Sequence, residues 1–257
     1  MKICILGAGK MGTWLTDALC LQHEVAIFDT DKERLRYVFN TQRLTTFDEI
    51  RSFAPELLIN AVTLKFTIPV FEEVLPYLPQ TCILADIASV KTGFPDFYEK
   101  SGRRFVSTHP MFGPTFANLK DLSQHHAIII TESDHLGKAF FKDFFGSLGL
   151  NIHQYSFEEH DETIAYSLSI PFSSTLVFAA CMKKQDAPGT TFKKHMDIAR
   201  GLLSEDDYLL TEILFNPHTI GQVEQIRKEL KNLIELISKR DSDGLKQFLT
   251  KVRGNLA

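Results

Sequence analysis

The segment "KICILGAGKMG", residues 2–12, places an apolar strand directly before a glycine-rich turn. A GxGxxG pattern that follows a first strand and opens a helix is typical of a dinucleotide-binding βαβ unit. Gly7 allows the tight turn, Gly9 lets a pyrophosphate approach the backbone, and Gly12 lets the helix pack on the strand. The phosphates then lie at the positive end of that helix. The opening of the chain therefore predicts a nucleotide-binding domain.

An acidic residue further on indicates which dinucleotide binds. Asp29 ends the second predicted strand, about 20 residues after the glycine turn, where a carboxylate accepts hydrogen bonds from the adenosine ribose hydroxyls. Lys10 and Met11 open the helix and complete the expected cofactor contacts. A 2′-phosphate beside Asp29 would face like charge, so we expect NAD rather than NADP. The nearby cations Lys32 and Arg34 keep NADP as the alternative.

The pattern of apolar residues changes once along the chain. Strands are predicted at 3–6, 25–28, 57–62, 82–87, 105–108, 127–131 and 151–155, with helical segments between them. This alternation predicts an α/β fold with a doubly wound, mostly parallel sheet covered on both faces. Later segments have apolar residues at helical spacing: 158–184, 190–202, 205–214, 219–239 and 241–253. We expect a Rossmann-type domain over 1–155 and an all-α domain over 156–257.

Within the second part, "SEDD" (204–207) has the pattern of a helix start, with a serine cap followed by early acidic residues. The long segment 219–239 is amphipathic, with a Lys/Glu-rich face and an apolar face. We expect the charged face to be solvated. The apolar face is a candidate for subunit contact.

Composition limits the classes of function. The chain has 257 residues, of which 44% are apolar and 23% charged, with a net charge of -4 and a pI near 6.1. Lysines and arginines are dispersed, so we expect no nucleic-acid partner. We also expect no apolar segment of the roughly 20 residues that span a bilayer, hence no membrane partner and a cytoplasmic location. The four cysteines have no metal-ligand spacing, so we interpret them as reduced core residues and expect no metal site.

A histidine follows the predicted strand at 105–108, in "STHPMFGPT" (107–115). Ligands of open α/β sheets gather at the carboxyl ends of strands, where "AVTLK" (61–65) and "DIASVKTG" (86–93) should also lie. An imidazole can accept a hydroxyl proton near neutral pH while hydride leaves the same carbon. The position predicts a dehydrogenase acting on a small molecule, with His109 as the base. The alternative is that His109 only supports a loop hydrogen-bond network.

Together these residues resemble the prephenate dehydrogenase family of tyrosine biosynthesis. The resemblance rests on "GAGKMG" (7–12), "DIASVK" (86–91), "THPMFGP" (108–114), "EEHD" (158–161) and "TFKKHMDIARGLL" (191–203). It implies NAD-dependent oxidative decarboxylation of prephenate to 4-hydroxyphenylpyruvate, in aromatic amino acid biosynthesis, and a homodimer formed by the helical, substrate-binding domain. It also implies that Ser89 and His109 bind and deprotonate the ring hydroxyl. Lys91 would lie on the same site wall, and His160 near the substrate.

Three positions depart from the family pattern. Phe172 stands where many relatives have a second histidine, Thr115 where an acidic residue is common, and Asp197 at a common position of the arginine that binds a substrate carboxylate. Arg200 follows Asp197 on the same helical face, and a guanidinium binds a carboxylate through two hydrogen bonds. We therefore expect Arg200 to bind the substrate. The alternatives are Lys193 and Lys194.

Two other functions also fit the sequence. Arogenate dehydrogenase shares the chemistry, but its substrate carries an amino group. A nucleotide-sensing protein without turnover would keep the Rossmann domain, and the departures at Phe172 and Asp197 make this conceivable. Retention of Ser89, Lys91 and His109 favours an enzyme.

Overall fold

The computed structural model describes residues 1–39, 41–113, 118 and 121–256. The chain divides into two compact units, Met1–Glu162 and Thr163–Ala257. The division lies slightly beyond residue 155, the last residue of the nucleotide-binding domain expected from the sequence.

An eight-stranded sheet forms the first unit. Its strands are β1 (Lys2–Leu6), β2 (Glu24–Phe28), β3 (Gln42–Leu44), β4 (Leu57–Asn60), β5 (Ile83–Asp86), β6 (Phe105–Pro110), β7 (His126–Ile130) and β8 (Asn151–Tyr155). They are ordered β3-β2-β1-β4-β5-β6-β7-β8. Every neighbouring pair is parallel except β6 and β7, which confirms the predicted mostly parallel sheet. Strand β3 was not predicted from the sequence, because it is a three-residue edge strand with two exposed polar residues.

The helices of the first unit lie between the strands, except for the last, which follows β8 and continues two residues past Glu162. They are α1 (Lys10–Leu19), α2 (Lys32–Leu35), α3 (Phe47–Phe53), α4 (Leu64–Val74), α5 (Phe94–Ser101), α6 (His135–Ser147) and α7 (Phe157–Ile164). Side chains alternate along β1, so Ile3 and Ile5 pack in one apolar cluster with α1 and α6. Cys4 and Leu6 pack in a second cluster with α3, α4 and α5. The sheet is therefore covered on both faces, as predicted.

This topology gathers five loops at one edge. The strands β1, β2, β4, β5 and β6 are mutually parallel, so their carboxyl ends lie at the same side of the sheet. The order reverses beside β1, where chain crossovers leave in opposite directions and open α/β sheets bind their ligands. Candidate residues that are far apart in the sequence thus come to one edge.

Helices alone make up the second unit. After a π-helical turn (Ala165–Ser169) come α8 (Ile170–Cys181), α9 (Thr190–Leu202), α10 (Asp207–Leu214), α11 (Thr219–Lys239) and α12 (Ser242–Gly254). These bounds lie within a few residues of the predicted helices. The predicted serine cap of α10 is wrong: Asp206 accepts from the backbone N–H groups of Tyr208 and Leu209. Ser204 instead donates its hydroxyl to the Gly201 carbonyl.

One expectation about apolar segments is also wrong. The stretch Phe157–Cys181 is a continuous helix of 25 residues, and by length and composition alone it could cross a membrane. Its most apolar 18-residue window has a mean hydropathy of 1.5 and is only 17% buried. Interspersed serines and threonines made this apolar run hard to recognise in the sequence.

The four cysteines are all free. Cys4 and Cys82 are buried, and desolvation raises the pKa of both thiols, that of Cys82 to about 12. Cys20 is half-buried and Cys181 is exposed. The interpretation as core residues is therefore wrong for Cys181, since the helix α8 that carries it buries no residue.

Candidate functional site

The glycine turn between β1 and α1 is shaped by two positions that tolerate no side chain. Gly7 has φ 95°, and a Cβ there would lie 3.0 Å from the Ala61 carbonyl oxygen. A Cβ on Gly12 would overlap the Gly7 carbonyl oxygen. At Gly9 a Cβ would meet nothing within 4 Å. Gly7 and Gly12 are therefore required by the packing of the turn. The space at Gly9 lies in front of the helix N-terminus.

The N-terminus of α1 fits an anion. Gly9 is its N-cap and provides no side-chain hydrogen bond, and the first turn contains no acidic residue. Lys10 and Met11 begin the helix at this end. Backbone N–H groups in the first turn of a helix have no intrahelical acceptor, and the helix dipole favours negative charge there. A pyrophosphate therefore matches the open space and the charge at this end.

Asp29 lies directly beside the glycine turn. One carboxylate oxygen accepts from the Ala8 N–H and the other from the Asp31 N–H, each at 2.8 Å. The carboxylate therefore links the end of β2 to the turn, and each oxygen keeps a second lone pair for a ribose hydroxyl. Arg34 lies in the following helix, where it pairs with Asp31 at 3.5 Å and is exposed.

Two buried histidines and an aspartate form a row at the end of β6. His109 Nδ1 lies 3.0 Å from His160 Nε2, and His160 Nδ1 lies 3.0 Å from Asp161 Oδ1. His109 is 6% exposed and His160 0%. Among the described residues, His109 Nε2 has no hydrogen-bond partner. The row thus leaves one ring nitrogen available to accept a proton.

Burial and charge both disfavour the protonated histidines. Desolvation holds the pKa of His109 well below its ordinary value, and His160 and the Lys91 cation act in the same direction. The pKa of His160 is also lowered, mainly by desolvation, although the hydrogen bond to Asp161 opposes that shift. His109 is therefore neutral near pH 7.

A buried ion pair lies next to this row. Lys91 Nζ pairs with Asp86 Oδ1 and also donates to the Thr108 carbonyl at 2.8 Å. The Tyr98 hydroxyl donates to Asp86 Oδ2 at 2.7 Å. Both charged side chains of the pair are 0% exposed. The pair connects the end of β5 to the residue just before His109.

The nucleotide-binding domain model of prephenate dehydrogenases matches residues 20–148, half of the chain. The chain belongs to the prephenate dehydrogenase family. This confirms the resemblance seen in the sequence motifs.

Individual relatives agree with this membership. A probable arogenate/prephenate dehydrogenase of Methanocaldococcus jannaschii is 23% identical over 210 residues, which cover 76% of this chain and 46% of the relative. The chain thus spans about half the length of that protein. The structure of the A. aeolicus prephenate dehydrogenase in complex with hydroxyphenyl propionate and NAD+ superposes with a TM-score of 0.85 at 18% identity, covering 99% of this chain and 96% of that one. The Synechocystis arogenate dehydrogenase gives 0.76 at 20% identity, covering 99% and 98%. These structures share the fold.

The site residues predicted from the family resemblance differ in burial and in their hydrogen-bond partners. Ser89 is half-buried on the loop after β5 and makes no hydrogen bond to His109 among the described residues. Lys91 is held inside by Asp86, and both ring nitrogens of His160 have protein partners. The hydrogen bonds of Lys91 and His160 thus go to other protein residues, and contact of these two side chains with a substrate stays a prediction.

The remaining predicted residues lie elsewhere in the prephenate dehydrogenase fold. Arg200 is on α9 in the second unit, exposed, and paired with Asp197 at 3.1 Å. It lines a groove of about 300 Å³ with Met182, Met196, Leu203 and other α8 and α9 residues. Lys193 and Lys194 are exposed on the same helix. Pro114 and Thr115 lie outside the described residues.

Three residues of the candidate site were not predicted from the sequence. Asp86 carries a signal, because a carboxylate in the apolar run "CILADI" needs a buried cation, and Lys91 follows five residues later. Asp161 adjoins His160 in "EEHD". Tyr98 had no such signal: its hydroxyl meets Asp86 only through the packing of α5.

Proposed function

We propose that this chain is an NAD-dependent dehydrogenase that oxidises prephenate with loss of its ring carboxylate, giving 4-hydroxyphenylpyruvate. Membership of the prephenate dehydrogenase family supports the class of reaction. The observation that carries the proposal is His109, a buried neutral histidine at the carboxyl end of β6, whose Nδ1 lies 3.0 Å from His160 Nε2 and whose Nε2 has no partner among the residues that the structure describes. Such a group suits the removal of a hydroxyl proton.

In this proposal different residues of the first unit bind the cofactor and remove the substrate proton. The glycine turn and Asp29 hold the dinucleotide, and the end of β6 lies three strand spacings, about 14 Å, from β1. When bound, the nicotinamide supplies a hydride acceptor. His109 Nε2 takes the proton of the ring hydroxyl. As the carboxylate leaves as carbon dioxide, its bonding electrons move through the ring to the new carbonyl oxygen, which takes the proton back from His109 as the ring becomes aromatic. Ser89 orients the hydroxyl.

Arg200 is our proposed ligand for a substrate carboxylate. Its pair with Asp197 is exposed on both sides, and such surface pairs contribute little to stability, so substrate can replace Asp197. We expect Arg200→Gln to raise KM with little change in kcat. Lys193→Gln and Lys194→Gln are the comparison variants. An unchanged KM in Arg200→Gln would remove this arginine from the substrate site.

The second unit also supports a proposed homodimer. Helix α8 is apolar, yet none of its residues is buried, and α11 exposes Leu230, Ile234 and Ile237 by 49%, 53% and 61%. Exposed apolar surface of this kind marks an interface. We expect a dimer in sedimentation, weakened by Ile234→Glu but not by the surface change Lys231→Glu. A monodisperse monomer, or solubility only in detergent, would contradict it. The free cysteines fit our proposal of a cytoplasmic location.

The deciding experiment measures reduced-nicotinamide formation with prephenate or arogenate, each paired with NAD or NADP. We expect turnover with prephenate and NAD, and a large loss of kcat in His109→Gln. His135→Gln, at an exposed histidine on α6, is the matched control. Preference for arogenate or NADP would change the substrate or cofactor and keep the chemistry. If no reduced nicotinamide forms in any of the four mixtures while NAD still binds, the result would favour a nucleotide-sensing protein.

A further inference from the structure

The hydrogen bonds along the row of Asp161, His160 and His109 all donate in one direction, toward Asp161. A carboxylate only accepts hydrogen bonds, so His160 Nδ1, at 3.0 Å from Asp161 Oδ1, must carry a proton. A neutral imidazole has one N–H, which leaves His160 Nε2 as an acceptor. Because His109 Nδ1 lies 3.0 Å from that nitrogen, the His109 proton must be on Nδ1. The lone pair of His109 is then on Nε2.

We propose that Asp161 and His160 are positioning residues that fix His109 in the tautomer with its proton on Nδ1 and its lone pair on Nε2. This inference rests on the proposed function, since it explains how His109 becomes a base. Without the row, a neutral histidine could carry its proton on either nitrogen, and the Nε2–H form cannot accept a proton from substrate. The hydrogen bond made by one ring nitrogen decides the protonation of the other.

Charges around the row agree with this assignment. His109 faces His160 and the Lys91 cation, which both favour its neutral form. His160 faces Lys91 together with the carboxylates Asp161 and Asp86, and desolvation keeps it neutral. Because both rings are neutral, the hydrogen bond to Asp161 determines which nitrogen carries the proton in His160 and, through His160, in His109. After His109 takes the substrate proton, both its nitrogens carry hydrogen, and His160 still accepts from Nδ1.

Histidine ¹⁵N NMR tests the tautomers directly, without activity. We expect Nδ1–H forms for both rings in the wild-type protein, assigned with His109→Gln and His160→Gln. Asp161→Asn introduces an amide that can donate to His160, so we expect a shift toward the Nε2–H form. Glu162→Gln changes an exposed carboxylate on the same helix and should leave the tautomers unchanged. A wild-type His109 with its proton on Nε2 would overturn the proposal.

Kinetics provide the second measurement. We expect Asp161→Asn and His160→Phe to lower kcat by about 10²-fold or more, within the range that a positioned base contributes, while KM and NAD affinity stay near wild type. His160→Gln keeps an acceptor oxygen for His109 Nδ1–H and should restore part of the loss. Losses no larger than in Glu162→Gln, in folded variants, would refute the positioning role.

Failure of the proposed function gives a different result. If the NMR tautomers are as stated but no mixture of substrate and cofactor turns over, the row is supported and the proposed reaction is wrong. If the enzyme is active while Asp161→Asn changes neither tautomer nor kcat, the reaction stands and the row has no positioning role.

Discussion

Replacing Lys91 by methionine should destabilise the first unit far more than its position on a loop after β5 suggests. The substitution keeps most of the side-chain volume but removes the cation that Asp86 needs in an environment with no solvent access. It also removes the donor to the Thr108 carbonyl. Among the described residues, the donors that remain for the buried carboxylate are the Tyr98 hydroxyl and the backbone N–H of Ala88.

The expected magnitude follows from this loss. Removing one partner of a buried, hydrogen-bonded ion pair costs about 3–5 kcal/mol, because the remaining charge is left without compensation. The free energy of unfolding of a domain is roughly 5–15 kcal/mol in total, so Lys91→Met should lose about a fifth of it or more. Trp14, the single tryptophan, lies on α1 in the first unit. Its fluorescence during urea unfolding measures the free energy for this unit.

Two further variants make the result decisive. Lys100→Met, at an exposed lysine on α5, should stay within about 0.5 kcal/mol of the wild type. The double variant Asp86→Asn/Lys91→Met removes both charges, and we expect it to regain at least half of the lost free energy. If Lys91→Met has the same unfolding free energy as Lys100→Met, the buried ion pair does not stabilise this part of the fold.

Three further predictions concern catalysis and cofactor binding. Because a base acts in its neutral form and the pKa of His109 is lowered well below 6.5, kcat/KM should stay flat through neutral pH and fall only below the ordinary histidine range; a midpoint above about 7 would contradict this. Gly9→Ala should leave the unfolding free energy unchanged, since its Cβ meets no atom of the described residues within 4 Å, but weaken NAD binding in calorimetry, whereas Gly189→Ala at the N-cap of α9 should change neither. Asp29→Asn should lower the preference for NAD over NADP in paired titrations, because a 2′-phosphate would no longer face a negative charge, and an unchanged ratio would remove Asp29 from cofactor selection.

Much of the site could be predicted from local sequence. Gly7 and Gly12 are determined by backbone geometry and close approach, which short motifs record. His109 was predicted because it follows a strand, and strand ends gather ligands. The state of His109 could not be predicted, because His160 lies 51 residues further along the chain and reaches it only through the tertiary fold. The buried pairing of Lys91 with Asp86 was not predicted either, since the family resemblance placed Lys91 on the wall of the site.

The sequence by itself determined the alternation of strands and helices, the parallel sheet, the glycine turn and the change to helices after the sheet. Each of these depends on periodicity or on the conformational freedom of single residues, which neighbours along the chain already settle. Two contacts between polar groups depend on the tertiary fold: that of Tyr98 with Asp86, and that of His109 with His160. Burial then turned these contacts into strong constraints, because a charge or hydrogen-bonding group removed from water must find its partner within the protein.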